Sequence, residues 1–224
     1  MDSARAAQYL DALGVDRWVL RRVADAGAAI VADDAWSTLR AEVAGCTRCA
    51  LSSTRTQTVF GVGDARARWL IVGEAPGAEE DRQGEPFVGP AGQLLTAMLK
   101  AIGLAREQVF IANILKCRPP NNRDPLQEEV ACCLPYLQRQ IALIQPSLML
   151  VVGRIAAQNL LRTELSVAKL RGSVHRYGAL NTPLIVTYHP AYLLRQPADK
   201  AKAWEDLKFA RRTFTELEAN GRSG

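Results

Sequence analysis

The chain has 224 residues, of which 48% are hydrophobic and 23% charged, and it carries a net charge of +5. That suffices for one full core with a small appendage, and it excludes a disordered chain, a collagen and a coiled coil. No apolar run approaches the roughly 20 residues of a membrane helix, and Met1-Asp2-Ser3-Ala4-Arg5 does not open a secretion signal, so a cytoplasmic protein is expected.

Residues 3–44 read as helices, with apolar positions at Tyr9, Leu10 and Leu13, then Trp18, Leu20 and Val23, then Trp36, Leu39 and Val43, and with Asp33 or Asp34 as an N-cap. No chemistry-bearing pattern appears there. From residue 69 short apolar runs alternate with amphipathic stretches. Residues 69–73, 109–114, 148–153 and 184–187 read as buried strands, and 91–103, 125–144, 154–162 and 199–219 as helices. The alternation predicts an α/β fold with a parallel sheet covered on both faces and functional residues at the C-terminal ends of the strands. Three strand ends are polar or glycine-rich: Gly73-Glu74-Ala75-Pro76-Gly77, Asn113 and His189-Pro190. The expected organisation is a helical extension over 1–44 and a single domain over 45–224. Residues 154–224 hold 12 Lys plus Arg against 6 Asp plus Glu, whereas residues 1–153 hold 16 against 17. A polyanionic partner would be drawn to the C-terminal part.

Five cysteines make an odd count for a disulfide framework, and thiols kept reduced in a cell more often bind metal or do redox chemistry. Cys46-Thr47-Arg48-Cys49 is a CxxC, and Cys117 and Cys133 follow at long intervals. Two thiolates from one tight turn and two from distant segments close a four-cysteine site around a structural zinc or an iron-sulfur cluster. A single CxxC, where zinc favours two such knuckles, leans toward the cluster. The alternative is a redox CxxC with Cys117 and Cys133 as small core residues. Against it, Cys117 opens the rigid polar segment Cys117-Arg118-Pro119-Pro120-Asn121-Asn122-Arg123. Cys132 is expected to pack inside a helix.

The loop after the first strand, 73–92, is rich in glycine and acidic residues. It lacks both the GxGxxG of a dinucleotide site and the Lys-Ser/Thr of a phosphate loop. Gly-Glu-Ala-Pro-Gly at 73–77 with Glu80-Asp81, Pro86-Phe87-Val88-Gly89, Asn113 before Lys116-Cys117-Arg118-Pro119-Pro120, and Thr187-Tyr188-His189-Pro190-Ala191-Tyr192-Leu193-Leu194-Arg195 follow in order along three quarters of the chain. Together with the cysteines they resemble the family 4, iron-sulfur uracil-DNA glycosylases. The resemblance implies a three-layer α/β/α sandwich around a four-stranded parallel sheet. It also implies a 4Fe-4S cluster on Cys46, Cys49, Cys117 and Cys133, the last because the family's cysteine stands two before a Pro-Tyr-Leu, here 135–137.

The resemblance further implies a monomeric, nucleoid-associated repair enzyme acting on uracil-containing DNA, single- or double-stranded. Phe87 would stack the extruded base, and Asn113 would read uracil's O4 and N3–H. His189 would donate to O2 of the leaving uracil, and Glu80 would fill the space beside C5 where thymine carries its methyl. Family 1 relatives carry an Asp where this chain has Ala75, so Glu74, one residue earlier, is the acid left to position water. Leu193, Leu194 and Arg195 would meet DNA, with Arg171, Arg176, Lys200 and Lys202 adding positive charge. A non-catalytic iron-sulfur DNA-binding module is the rival reading. It would leave Asn113 and His189 without a task. The superfamily branch that stays covalently attached to the abasic sugar fits less well, because this chain has Ala75 and no inserted basic His loop.

Overall fold

The computed structural model describes residues 24–221, and their side chains from 34 to 219. Six strands, β1 (Val62–Gly63), β2 (Trp69–Gly73), β3 (Phe110–Asn113), β4 (Leu148–Val152), β5 (His175–Tyr177) and β6 (Thr182–Thr187), form one sheet in the order β1-β3-β2-β4-β6-β5. β3, β2, β4 and β6 run parallel, and β1 and β5 lie antiparallel at the edges. The four expected parallel strands are therefore the centre of a mixed six-stranded sheet rather than the whole of it. The edge strands are two and three residues long and partly exposed, so no apolar run marks them in the sequence.

The helices are α1 (Ala24–Ala44), α2 (Ala78–Gln83), α3 (Pro90–Ala101), α4 (Gln127–Ile144), α5 (Arg154–Leu161), α6 (Val167–Leu170), α7 (Pro190–Arg195) and α8 (Lys200–Gly221). Because neighbouring residues of a strand face opposite sides, each central strand feeds two cores. Leu70, Val72, Met149 and Val151 meet Leu39 and Val43 of α1, Leu137 and Ile141 of α4 and Ala156 of α5. Trp69, Ile71, Leu148 and Leu150 meet Leu95 and Leu99 of α3 and Leu207 and Phe214 of α8. Helices thus cover both faces.

The chain divides into two compact units, Met1–Ala35 and Trp36–Gly224, and the sheet belongs to the second. Asp33 and Asp34, expected to cap a helix, lie inside α1; the helices expected over 3–23 fall outside the described residues. None of the described helices is long and apolar enough to cross a membrane.

From β2 the chain steps to β3 on one side and then to β4 on the other. Such a reversal opens a crevice beyond the C-terminal ends of the strands. Gly73 is level with Asn113, and Val152 with Thr187. The segments that leave these four strands start side by side.

Candidate active site

A cleft of about 650 Å³ occupies that crevice, and Glu74, Ala75, Glu80, Phe87, Asn113, His189 and Arg195 all line it. Asn113 closes β3, 2% exposed, and its side-chain oxygen is buried with no hydrogen-bond partner. An unmet buried acceptor costs on the order of 1–3 kcal/mol. A methyl placed on Gly73 would lie 2.4 Å from that oxygen and 2.6 Å from the Phe87 ring. Only glycine at the end of β2 keeps the space between them open.

Phe87 takes a φ of +55°, a left-handed backbone that is costly for a bulky residue. Its surroundings hold it there. Glu80 accepts hydrogen bonds from the backbone N–H groups of Gly77 (3.1 Å), Val88 (3.0 Å) and Gly89 (3.1 Å), and Arg106 donates to the Pro86 carbonyl. The first turn of α3 comes so close that a Cβ on Gly92 would stand 1.8 Å from the Phe87 carbonyl oxygen. The Phe87 ring is consequently fixed 5.7 Å, centroid to centroid, from the His189 imidazole.

His189 precedes α7, and its Nδ1 accepts the Ala191 N–H at 3.1 Å. The ring proton of the neutral form therefore sits on Nε2. Burial, reinforced by the Arg195 charge and opposed by Glu80, lowers the His189 pKa to about 4. At neutral pH the ring is an uncharged donor. Glu74 behaves oppositely: burial and the nearby Asp124 raise its pKa to about 7 against the pull of Arg154. Asp124 and Arg154 pair with each other at 2.7 Å and also line the cleft. A carboxyl that titrates near 7 is poised to accept a proton at neutral pH.

The short helix α7 separates its two leucines. Leu193 is 1% exposed and packs in the α3–α8 core, whereas Leu194 is 43% exposed and Arg195 is exposed beside the cleft. Leu193 is therefore corrected from a DNA-facing residue to a core residue, because a six-residue helix must bury one face to dock on the sheet. Of the basic residues grouped with this loop, Arg171 is held by buried Asp206 at 2.8 Å and Lys202 by Asp199 at 2.7 Å. Arg123 and Arg154, which the sequence left without a role, reach the cleft instead.

Cys46, Cys49, Cys117, Cys132 and Cys133 line a second pocket with Arg55 and Lys116, and none forms a disulfide. Burial pushes the Cys49 and Cys117 thiols up and Cys133 to about 12. Yet N–H donors already point at two sulfurs: the Lys116 amide at Cys133 Sγ and Arg55 Nη1 at Cys117 Sγ, both at 3.1 Å. Such donors suit thiolates, and buried thiols give up their protons when a metal replaces them. The residues fit a thiolate-bound metal group. Among the described residues, no three thiol, imidazole or carboxylate groups converge closely enough to hold a single ion.

Cys132, expected as helix packing, is half-buried at this pocket, and its thiol donates to the Arg48 carbonyl at 3.3 Å. Lys116 is a residue whose position the sequence did not reveal. It is 1% exposed and donates to the Asn113 carbonyl at 2.9 Å and to Gln140 Oε1 at 2.6 Å. The one signal was a lysine directly after the apolar pair Ile114-Leu115.

The model of the uracil DNA glycosylase superfamily matches residues 60–208. The chain belongs to that superfamily. It is 47% identical over 174 residues to the type-4 uracil-DNA glycosylase of Archaeoglobus fulgidus, covering 75% of this chain and 87% of the relative. It is 44% identical over 168 residues to that of Pyrobaculum aerophilum (72% and 86%) and 43% over 182 to that of Sulfurisphaera tokodaii (78% and 83%). In this superfamily member the matched stretch contains every cleft residue named above together with Cys117, Cys132 and Cys133, while Cys46 and Cys49 precede it.

Proposed function

We propose that this chain is a uracil-DNA glycosylase that hydrolyses the N-glycosidic bond of a flipped-out uracil and leaves an abasic site for base excision repair. The observation that carries the assignment of the site is the buried, unpartnered acceptor of Asn113, aimed into the gap that Gly73 leaves open beside Phe87.

A base inside a duplex is out of reach, so the target must leave the stack. The Phe87 ring offers it a face. The Asn113 amide then accepts from N3–H and donates to O4; cytosine presents the reverse pattern and would set acceptor against acceptor. Glu80 is the wall beside C5 that excludes a thymine methyl, and its three backbone bonds make that wall rigid.

As the C1′–N1 bond breaks, its electron pair stays with the base and negative charge collects on O2. A donor already aimed at such an oxygen lowers the barrier by roughly 3–4 kcal/mol, and the neutral His189 Nε2–H is that donor. Water adds to C1′, and its proton passes to Glu74. Ala75 contributes only a methyl to the wall, so Glu74 is the acid beside it. Leu194 enters the stack and Arg195 holds a phosphate. No lysine lines the cleft among the described residues, and the enzyme is monofunctional.

Cys46, Cys49, Cys117 and Cys133 would hold a 4Fe-4S cluster, a reading supported by thiols from three separate segments that share one pocket with N–H donors aimed at two of the sulfurs. When bound, it supplies a structural clamp on the segment that follows Asn113. The protein acts as a monomer on DNA near the nucleoid, through the domain expected over residues 45–224 together with the end of α1, whose Leu39 and Val43 pack in its core.

The test is incubation of purified protein with a labelled strand carrying one uracil, alone and paired with G, followed by alkaline scission, with a thymine control. Scission at uracil alone is expected. Absence of scission from iron-loaded protein would favour the DNA-binding module and return Asn113 and His189 to structural roles.

A further inference from the structure

Buried charges in folded proteins are paired, because an isolated one is expensive. Asp206 and Glu129 follow this rule, with Arg171 and Arg123 as partners. Lys116 does not: at 1% exposure it has two neutral partners, the Asn113 carbonyl and Gln140 Oε1, and no described carboxylate pairs with it. Its backbone is tied as well. The Lys116 N–H donates to Cys133 Sγ at 3.1 Å, and its carbonyl accepts the Val59 N–H at 2.8 Å. Gln140 is anchored in turn, its Nε2 donating to the Phe60 carbonyl at 2.9 Å. One residue thus touches the thiol pocket with its amide and the peptide of the base-reading asparagine with its ammonium.

We propose that Lys116 is the positioning residue for base reading: its ammonium pins the Asn113 carbonyl, so that the amide above it faces uracil. The proposal rests on the reading of Asn113 as the uracil reader. It adds a residue that lies outside the cleft and touches no substrate atom.

The test compares Lys116→Met and Gln140→Met with the unaltered protein, all purified with their iron. Three quantities are read: affinity for free uracil by ligand-observed NMR titration, affinity for a strand carrying a tetrahydrofuran abasic-site analogue, and iron content. Loss of a charged hydrogen bond behind the reader should weaken uracil binding about ten-fold in Lys116→Met, and roughly three-fold in Gln140→Met, where one anchor of the ammonium remains. Abasic-strand affinity should stay within about two-fold in both, since no base is read there. If Lys116→Met does not fold, Gln140→Met decides alone. Unchanged uracil affinity overturns the proposal, and so does a parallel fall of uracil and abasic-strand affinity, which marks a merely structural lysine. If the unaltered protein neither cleaves at uracil nor binds it, the functional reading itself has failed and the positioning role falls with it.

Discussion

The cleft and the thiol pocket lie at the two ends of one short stretch, Asn113 to Cys117, yet they are held in different ways. In the cleft, strand register sets Gly73 beside Asn113. Backbone hydrogen bonds fix the loops, and polar groups are left open on one side only. In the pocket, the thiols come from a turn at 46–49, a loop at 117 and helix α4, and burial opposes their ionised form. The peptide framework alone completes a site built by register. A pocket of thiols drawn from three separate segments would be completed only by a group bound to them. Chemistry and stability should therefore separate when each is perturbed.

The largest effect is expected in the cleft. Asn113→Ala or His189→Ala should slow uracil excision by about 10²–10³-fold, with iron content unchanged; single-turnover excision and iron analysis check this. Simultaneous loss of iron would break the distinction between the two regions.

Next comes the pocket. Cys133→Ala should lose its iron and unfold at a lower temperature, and Cys132→Ala should keep its iron, as read by visible absorbance and thermal denaturation. Bleaching by Cys132→Ala alone would exchange their roles, which the shared pocket makes a sharp test.

A smaller effect is expected at Glu74. Excision should rise with pH through about 7 as the carboxyl ionises, and Glu74→Gln should flatten that rise and cost on the order of 10-fold, below the usual range for a general base because bond breaking leads water attack. The folded-state pKa lies above the unfolded value, so raising the pH from about 4.5 to 7 ionises the unfolded chain first and removes stability from the folded one. At pH 8 Glu74→Gln should therefore melt higher than the parent while working more slowly. His189 should stay neutral through the rise near pH 7, because its lowered pKa of about 4 lies well beneath it.

The smallest change in activity is expected on α7. Leu194→Ala should slow excision from duplex several-fold and from single strands less, since only the duplex has a stack to open. Leu193→Ala should instead destabilise the fold by about 2–5 kcal/mol, seen in denaturant unfolding with duplex and single strand affected alike.

Much of this was legible in the chain. Continuous apolar runs marked the four central strands, since a strand buried on both faces has no polar side to show. Their polar ends then located Asn113 and His189. The thiol set drew notice because Cys-Arg-Pro-Pro reads as a poor core sequence, yet Cys117 is 5% and Cys133 7% exposed and both pack in the core cluster beside α4. The edge strands β1 and β5 were hidden, being too short to carry a period. Glu80 was legible as a cleft candidate but not as the acceptor of three loop amides, because its partners at 77, 88 and 89 come together only when the loop closes.

By itself the sequence determined which segments form the four central strands, which side chains are candidates for chemistry and in what order they come, because periodicity and residue type are local properties. Only the tertiary structure decided which of two adjacent leucines faces solvent, that Arg171 pairs with Asp206, that Cys132 shares the pocket with Cys133, and that Lys116 reaches back to Asn113. Each of these depends on which face a residue turns toward a distant part of the chain. Burial and pairing at that distance are set by packing, and composition or spacing carries no record of them.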